Sequence, residues 1–309
     1  MQIRKNHKTI LYIIIITLIS IAFYLPSLRS AIYLSINKEF AEKVGKYAIS
    51  ANVLIVQLIY KNQGDISSFS VSAGASGVII HREGNKYYAL TAEHVVRELA
   101  DIDKTQIIAM GYDQLKYNDY LSSGGNYEGI EKYYRQFPEV KVEYANEKYD
   151  LAVISFYTNE DYAVLPISEE SAKFGDTVAS LSNPHGRRNV ITVGKVRSIK
   201  PGPFGDKAGE SQYPIIKHTA VISEGSSGSA LLNENLEIVG INLGGGENIF
   251  RKFVYGMAMP SDRIREFLDE WKAFHSCHAV TVAQLNICLD ISLDIDQIIQ
   301  MQEQIYTNE

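Results

Sequence analysis

The sequence has few cysteines and no excess of positive charge. With two cysteines, it can form at most one intrachain disulfide. Lysine and arginine total 30 against 36 aspartates and glutamates, and the resulting net charge of -6 does not favour binding to nucleic acid. At 309 residues, 46% of them apolar, the chain can still bury a substantial core as one large domain or two small ones.

The two cysteines, Cys277 and Cys288, lie near the C-terminus. In a compartment that allows disulfides they could form a structural bridge or remain free. With His275 and His278 they offer zinc-binding atoms, but the spacing fits no standard ligand pattern. The sequence therefore predicts neither a metal site nor a cofactor, and it leaves the disulfide open.

One uncharged stretch, residues 9–28, is long enough to cross a bilayer as a helix. Basic residues precede it, which predicts that the N-terminus stays in the cytoplasm while the remainder crosses. A cleaved signal peptide and a buried core helix are the alternatives, although no convincing A-x-A-like cleavage site follows. We expect a signal anchor or transmembrane helix over 1–28, a stalk or short helix over 29–50, and a periplasmic or extracellular remainder.

From residue 51 the pattern changes to short β-rich runs separated by turn signals such as Glu83-Gly84-Asn85. Many short strands with regular turns are typical of an all-β sandwich or barrel. The runs fall into two groups of about six, which predicts two β-barrels over 51–268. A helix beginning near Ser261 is expected to seal the second barrel, and 269–309 holds its end and a tail.

Residues 224–232, EGSSGSALL, place a serine between glycines just before an apolar run. Gly225 and Gly228 permit backbone conformations that a side chain would forbid. Such a loop can aim the N–H groups of Gly225 and Ser227 at one point beside the Ser227 hydroxyl, which is the layout of an oxyanion hole with its nucleophile. Because Gly/Ser clusters are usually simple turns, the interpretation requires a base and an acid elsewhere.

The chain supplies both. TAEH places His94 after an apolar strand, and YDLAVISF places Asp150 at the mouth of another. A serine nucleophile, a histidine base and an aspartate that orients the imidazole form a triad, and His, Asp, Ser is its chain order in one fold class. We therefore predict that His94, Asp150 and Ser227 are catalytic and meet in the cleft between the two barrels.

Several motifs resemble those of a known family. GASGVIIHREGNKYYALTAEHVV, DLAVISF, FGDTVASLSNPHG, VGKVRSI, EGSSGSALLNENLEIVGIN and YGMAMPSDRIREFL follow one another as in trypsin-like serine peptidases, and they most resemble the HtrA (Deg) branch. The resemblance covers roughly residues 51–268 and implies a double six-stranded β-barrel of chymotrypsin type with endopeptidase activity. It implies His94 as general base, Asp150 as its orienting acid and Ser227 as nucleophile, with oxyanion N–H groups from Gly225 and Ser227.

The chain departs from the HtrA pattern in four places. Ser226 stands where asparagine is usual, and Ser229-Ala230 stands where Gly-Pro is usual; a G-x-S-G-S sequence also occurs in glutamyl endopeptidases. Too few residues follow 268 for the PDZ domain that often comes next in HtrA peptidases. The connection over 112–137 is enlarged and rich in tyrosine, which suits a self-packed insertion or a loop that contacts substrate or a partner.

The resemblance also suggests a substrate class. Val221 and Ile222 would lie near the wall of the primary pocket with no acidic residue at its base, which predicts cleavage after small or medium aliphatic residues. An extended substrate would add to a strand edge by backbone hydrogen bonds. The residues expected at that edge are Ile241, Asn242, Leu243 and Gly244.

Two functions remain open at this stage. The first is a membrane-anchored serine endopeptidase acting on polypeptides in protein quality control or in the processing of one partner. By resemblance it could assemble as a trimer. The second is a catalytically idle peptidase-like fold that serves as a membrane-anchored binding or scaffolding module, an alternative motivated by Ser226, Ser229 and the tyrosine-rich connection.

Overall fold

The structure is a computed structural model that describes residues 37–63, 66–97, 104–201, 214–248, 250 and 252–274. Its strands in the first half are β1 (Asn52–Gln63), β2 (Ile66–Val71), β3 (Ala75–Glu83), β4 (Lys86–Thr91), β5 (Lys104–Met110), β6 (Lys141–Asn146) and β7 (Leu151–Tyr157). The second half contributes β8 (Thr177–Ser182), β9 (Val190–Pro201), β10 (Pro214–His218), β11 (Ala230–Leu232), β12 (Ile238–Glu247) and β13 (Phe253–Pro260). The helices are α1 (residues 37–47), α2 (Glu93–Val96), α3 (Tyr117–Ser122), α4 (Ile130–Tyr134) and α5 (residues 261–274).

The second group of strands forms a closed barrel. Its six strands follow the order β10-β13-β12-β11-β8-β9, and each neighbouring pair is antiparallel. Closure pairs both edges of every strand, so no backbone edge of this sheet is left open. The six-stranded barrel expected in this half is confirmed.

The first group differs from the expected six-stranded barrel because it forms a seven-stranded sheet. β1 is 12 residues long, so one of its edges pairs first with β3 and then, beyond Leu58, with β2. Its other edge pairs with β5. A single bridge between Ile108 and Glu139 joins β5 to the segment that enters β6. The sheet therefore curls into a half-open barrel, and β2 is the extra strand.

Helix α1 lies inside the segment that we expected to form a stalk or short helix. Phe40, Val44 and Ala48, spaced four residues apart on one face, are at most 5% exposed and join the main core. Of the two alternatives expected for 29–50, the described residues 37–47 therefore form a short helix that packs into the domain.

Helix α5 packs against the first sheet as well as the second. The Phe267 ring lies 5.9 Å from that of Tyr149, and the Trp271 ring lies 5.6 Å from that of Tyr88. The Tyr149 hydroxyl donates a hydrogen bond to Glu270 at 2.7 Å. We expected this helix to seal the second barrel, and the structure adds its contacts with Tyr88 in β4 and with Tyr149 in the turn before β7.

The tyrosine-rich connection is self-packed. The Tyr133 ring lies 5.1 to 5.4 Å from five other aromatic rings and is 3% exposed. The cluster covers residues of β1 and β5, among them Leu58 and Met110. The connection is thus a small aromatic core of its own on the outside of the first barrel.

None of the described helices is both long and apolar enough to cross a membrane. The expected anchor over residues 9–28 and the pair Cys277 and Cys288 lie outside the described residues.

We predict that Tyr133→Ala lowers the free energy of unfolding by about 3–5 kcal/mol, because it removes the ring at the centre of this cluster. Tyr133→Phe keeps the ring and loses only the hydrogen bond to the Leu115 carbonyl oxygen, so it should cost about 1 kcal/mol. Urea denaturation of both variants measures the difference. Equal, small losses would contradict the role assigned to the aromatic cluster.

Candidate active site

His94 lies on a short helix that follows β4. The chain leaves the strand at Thr91, and α2 begins after the buried Ala92. Val95 and Val96 are buried against the core, which anchors the helix. The side chain of His94 is 40% exposed and reaches the surface of the cleft.

Asp150 lies in the turn between β6 and β7, directly before the first residue of β7. Its φ of 49° is in the left-handed region, which aspartate tolerates better than most residues. Its N–H donates to the Glu147 carbonyl oxygen at 3.1 Å and closes the turn. The strand that follows is buried over its first residues, so the carboxylate is held at a fixed point of the first barrel.

The Asp150 carboxylate contacts His94 in two ways. Its oxygens lie 2.8 and 3.0 Å from Nδ1 of the imidazole. Oδ1 also accepts a hydrogen bond from the backbone N–H of His94 at 3.0 Å. The side-chain hydrogen bond raises the pKa of His94, while burial of the ring partly offsets the rise. The pair fixes the ring with Nδ1 toward Asp150 and leaves Nε2 available to accept a proton.

Arg97 connects the two segments that carry His94 and Asp150. Its guanidinium forms an ion pair with Glu93, the residue before His94. It also lies 3.1 Å from the Glu147 carboxylate in the turn before Asp150. The helix that carries His94 and the turn that carries Asp150 are therefore joined through one cation.

The loop that carries Ser227 presses against the end of β4. The Ser227 carbonyl oxygen accepts a hydrogen bond from the Ser76 N–H at 2.9 Å. Gly228 has a φ of 82°, and a Cβ there would clash with the Ser76 carbonyl oxygen and lie 2.9 Å from the Ala92 nitrogen. Because Ala92 is two residues before His94, this contact brings the Ser227 segment of the second barrel beside the histidine segment of the first.

The Ser227 hydroxyl donates to the Leu243 carbonyl oxygen at 3.3 Å. Among the described residues it makes no hydrogen bond with His94. The structure thus brings His94 and Asp150 into direct contact and places Ser227 in the adjacent loop, with its hydroxyl turned to a different acceptor.

In the described part of the chain, neither the Gly225 N–H nor the Ser227 N–H donates to an acceptor, and the same is true of the exposed Glu224 beside them. Gly225 is buried, and its φ is 89°. Because backbone N–H groups in buried positions are nearly always paired, the free donor of Gly225 indicates a site prepared for an external acceptor, and the N–H of the half-buried Ser227 lies two residues further along. These are the two donors that the sequence predicted for an oxyanion hole.

Residues 75–241 match the family model of the trypsin-like peptidase domain. The chain belongs to this family.

The chain is 28% identical over 229 residues to serine protease HTR4 of Bos taurus, a match that covers 72% of this chain and 40% of the relative. It is 27% identical over 219 residues to serine protease Do-like HtrA of Bacillus subtilis (strain 168), covering 69% of this chain and 42% of the relative. The chain spans less than half the length of these relatives. A solved structure, the serine endoprotease from Yersinia pestis, is similar at 22% identity with a TM-score of 0.49, over 75% of this chain and 66% of that one. The resemblance to HtrA-type serine proteases is confirmed.

Two residues of this trypsin-like peptidase that differ from the HtrA pattern, Ser226 and Ser229, form buried hydrogen bonds. The Ser226 hydroxyl donates to that of Ser182 at 3.3 Å. The Ser229 hydroxyl accepts from the Asn242 side-chain amide at 2.9 Å. Both serines are at most 1% exposed. The hydroxyl groups that these two serines bring into the loop are therefore both hydrogen bonded.

The residues expected to contact substrate differ in exposure. Val221 is 52% exposed, while Ile222 is 6% exposed. Leu243 is 8% exposed, and Gly244 is partly exposed. The side chains of Ile241 and Asn242 are fully buried, so both faces of this part of β12 are covered.

The Asn242 side chain belongs to the structural interior of the peptidase. It accepts a hydrogen bond from Nε2 of His218 at 2.9 Å and donates to Ser180 at 3.0 Å. Burial lowers the pKa of His218 to about 4, so this histidine is neutral at physiological pH. A Cβ at Gly256 would clash with the His218 ring, so the glycine there makes room for the histidine.

Sequence reasoning missed Ser76 and Asn183 as site residues. Ser76, in β3, donates through its hydroxyl to the Gly225 carbonyl oxygen at 2.8 Å. Asn183 donates through its backbone N–H to the same hydroxyl at 2.9 Å. Both lie in motifs that carried the family resemblance, GASGV and SNPHG, but a polar residue in such a motif does not reveal a partner so distant in the sequence.

We predict that Asp150→Asn lowers the pKa of His94 below its value in the unaltered protein, because the carboxylate hydrogen bond is the main cause of the rise. Because the pKa of His94 is higher in the folded protein than its value of about 6.5 in the unfolded chain, contact with Asp150 stabilises the folded state, and this stabilisation is complete below pH ~6.5. That stability is lost as the pH rises through the folded pKa. NMR titration of the His94 ring in Ser227→Ala, with and without Asp150→Asn, measures the shift. An unchanged midpoint would contradict the assigned pair.

Proposed function

We propose that this chain is a serine endopeptidase in which His94 is the general base, Asp150 orients it and Ser227 is the nucleophile. The observation that carries the proposal is the contact of the Asp150 carboxylate with His94 Nδ1 at 2.8 Å, beside a loop that offers a serine and two free N–H donors. Membership of the trypsin-like peptidase family supports the same chemistry.

The first step is attack of the Ser227 oxygen on the carbonyl carbon of the scissile bond. The hydroxyl proton moves to Nε2 of His94, because a serine hydroxyl is a poor nucleophile at neutral pH. Asp150 stabilises the resulting imidazolium and keeps Nδ1 protonated. His94 then gives the proton to the leaving amine, and water attacks the acyl-enzyme by the same route. To begin, the Ser227 hydroxyl must turn from the Leu243 carbonyl oxygen toward His94.

The negative charge that develops on the carbonyl oxygen is stabilised by the N–H groups of Gly225 and Ser227. Such donors cost little reorganisation when the loop already fixes them, and each contributes about 3–4 kcal/mol to lowering the barrier. That neither N–H group has an acceptor among the described residues supports this role.

The substrate class that we propose is a polypeptide in extended conformation, cleaved after small or medium aliphatic residues. Val221 and Ile222 would contribute apolar surface to the primary pocket, and the substrate backbone would lie along Leu243 and Gly244. In β12 the register shifts between Asn242 and Gly244, and Leu243 has no cross-strand partner in β13, which leaves backbone there for another strand.

The cellular setting of the proposal follows from the sequence. A signal anchor over residues 1–28 would place the peptidase domain on the periplasmic or extracellular side of a membrane. There it would act in protein quality control or in processing one partner, as a monomer or, as expected from the HtrA resemblance, as a trimer.

A scaffolding module without catalysis is the second candidate. The hydrogen bond from the Ser227 hydroxyl to Leu243, in place of one to His94, favours it. It differs from the endopeptidase in one decisive respect, since its Ser227 hydroxyl would not react.

We predict that the full chain reacts with a fluorophosphonate probe and that Ser227→Ala abolishes the reaction, because Ser227 lies in the loop beside the proposed base, His94. Ser198→Ala, which alters a serine of β9, is the matched control and should react at the rate of the unaltered protein. Mass spectrometry of the labelled protein locates the adduct. A folded protein that does not react, or one labelled equally after Ser227→Ala, would favour the scaffold.

Digestion of a peptide library by the same protein tests the substrate class. We expect cleavage mainly after alanine, valine and residues of similar size, because the proposed pocket carries no acidic residue to pair with a basic side chain. Cleavage mainly after lysine or arginine would contradict the proposed pocket. To identify natural substrates, the proteins cleaved in membranes that contain the unaltered protein are then compared with those cleaved in membranes that contain Ser227→Ala.

A further inference from the structure

The Glu224–Gly225 peptide lies directly on the turn formed by residues 183–186. A Cβ at Gly225 would be 2.8 Å from the Asn183 carbonyl oxygen and 3.1 Å from the His185 nitrogen. Together with the φ of 89°, this close approach restricts the position to glycine. The orientation of the Gly225 N–H is therefore set by the hydrogen bonds of two carbonyl groups, that of Glu224 before it and that of Gly225 after it.

The carbonyl group before Gly225 is held by the turn. The His185 N–H donates to the Glu224 carbonyl oxygen at 2.7 Å. In a trans peptide the C=O and the N–H point in opposite directions, so this bond directs the Gly225 N–H away from the turn. His185 itself has a φ of 51°, which shows that the turn adopts an uncommon backbone conformation.

The carbonyl group of Gly225 itself is held by Ser76. The Ser76 hydroxyl donates to the Gly225 oxygen at 2.8 Å and accepts from the Asn183 N–H at 2.9 Å. The Ser76 N–H donates to the Ser227 carbonyl oxygen at 2.9 Å. Ser76 is fully buried. One side chain in β3 of the first barrel thus contacts both the loop and the turn that supports it.

The turn has further support from the first barrel. The Asn183 amide donates to the Val53 carbonyl oxygen at 3.1 Å, and its side-chain oxygen accepts from Asn52 at 3.1 Å. Asn183 and Asn52 are at most 1% exposed. Since the turn is fixed on one side by β1 and on the other by Ser76, loss of the Ser76 hydroxyl would release the loop and leave the Asn183 N–H unpaired.

We propose that Ser76 is a positioning residue for the oxyanion hole. Its hydroxyl, with the His185 N–H, holds the two peptides around Gly225 so that the Gly225 N–H stays free for the carbonyl oxygen of the substrate. The inference rests on the proposed endopeptidase function. Without the hydroxyl, rotation about the torsions of Gly225 would turn the N–H away from the reacting oxygen, and the transition state would lose one of its two donors.

The test compares Ser76→Ala with Ser155→Ala in the full chain. Ser155 is also a buried serine of the first barrel, 1% exposed, but its hydroxyl donates to Glu143 and has no contact with the loop. The readouts are the second-order rate of reaction with a fluorophosphonate probe, and kcat and KM for the best peptide from the library. Both variants are measured well below their melting temperatures.

We expect Ser76→Ala to react about 10- to 100-fold more slowly, with kcat reduced in parallel and KM within about twofold, because the Gly225 donor acts only in the transition state. Ser155→Ala should stay within about twofold of the unaltered protein on both readouts. Because partial unfolding would lower the apparent kcat without changing KM, the rates of each variant are divided by its folded fraction, measured by circular dichroism under the assay conditions.

If Ser76→Ala does not fold, Ser76→Cys keeps the volume of the side chain and offers a weaker donor. It should react several-fold more slowly than the unaltered protein. The inference is overturned if the folded Ser76 variant reacts like Ser155→Ala, or if KM rises while kcat is unchanged. If the unaltered protein does not react, or if Ser227→Ala reacts equally, the proposed function fails and the inference falls with it.

Discussion

The relative position of the two barrels at the candidate site depends on one contact. It joins the loop that carries Ser227, in the second barrel, to β3 and β4 of the first barrel. Ser227 and Gly228 lie against Ser76 with no room for a side chain at Gly228. The Thr91 hydroxyl donates to the Ser76 carbonyl oxygen at 2.8 Å, which joins β3 to the strand that leads to His94. The relative position of His94 and Ser227 is therefore set by these contacts of the surrounding segments rather than by a hydrogen bond between the two side chains.

Polar groups buried around this contact make the arrangement specific. Serine and asparagine side chains at the seam are almost fully buried, and each such group must be hydrogen bonded or it costs about 1–3 kcal/mol. A displaced loop would leave several of them unpaired at once. A network in which every polar group is hydrogen bonded favours one arrangement of the two barrels over slightly displaced arrangements. Ser226 and Ser229 fit at positions where the HtrA pattern has other residues because they take part in such hydrogen bonds.

The sequence could offer candidates for a triad because each of the three residues lies in a short motif with its own local signal, and the structure brings two of them, His94 and Asp150, into contact. His94 follows a strand, Asp150 precedes one and Ser227 sits between glycines. Features that depend on distant partners escaped prediction. Ser76 and Gly225 are 149 residues apart. The strand β2 pairs with the far end of β1, and the alternation of apolar and polar residues does not reveal how long β1 is. Likewise, Asn242 was expected at a substrate edge, although the closed barrel turns its side chain inward.

The most direct test of the central claim is a crystal structure of the protein after reaction with a fluorophosphonate. The account predicts the phosphorus on the Ser227 oxygen and the phosphonyl oxygen within roughly 2.7–3.1 Å of the Gly225 and Ser227 nitrogens. It also predicts Nε2 of His94 beside the Ser227 oxygen, with Asp150 still bound to Nδ1. An adduct with His94 distant from Ser227, or with the phosphonyl oxygen facing a carbonyl group instead of these two N–H groups, would contradict it.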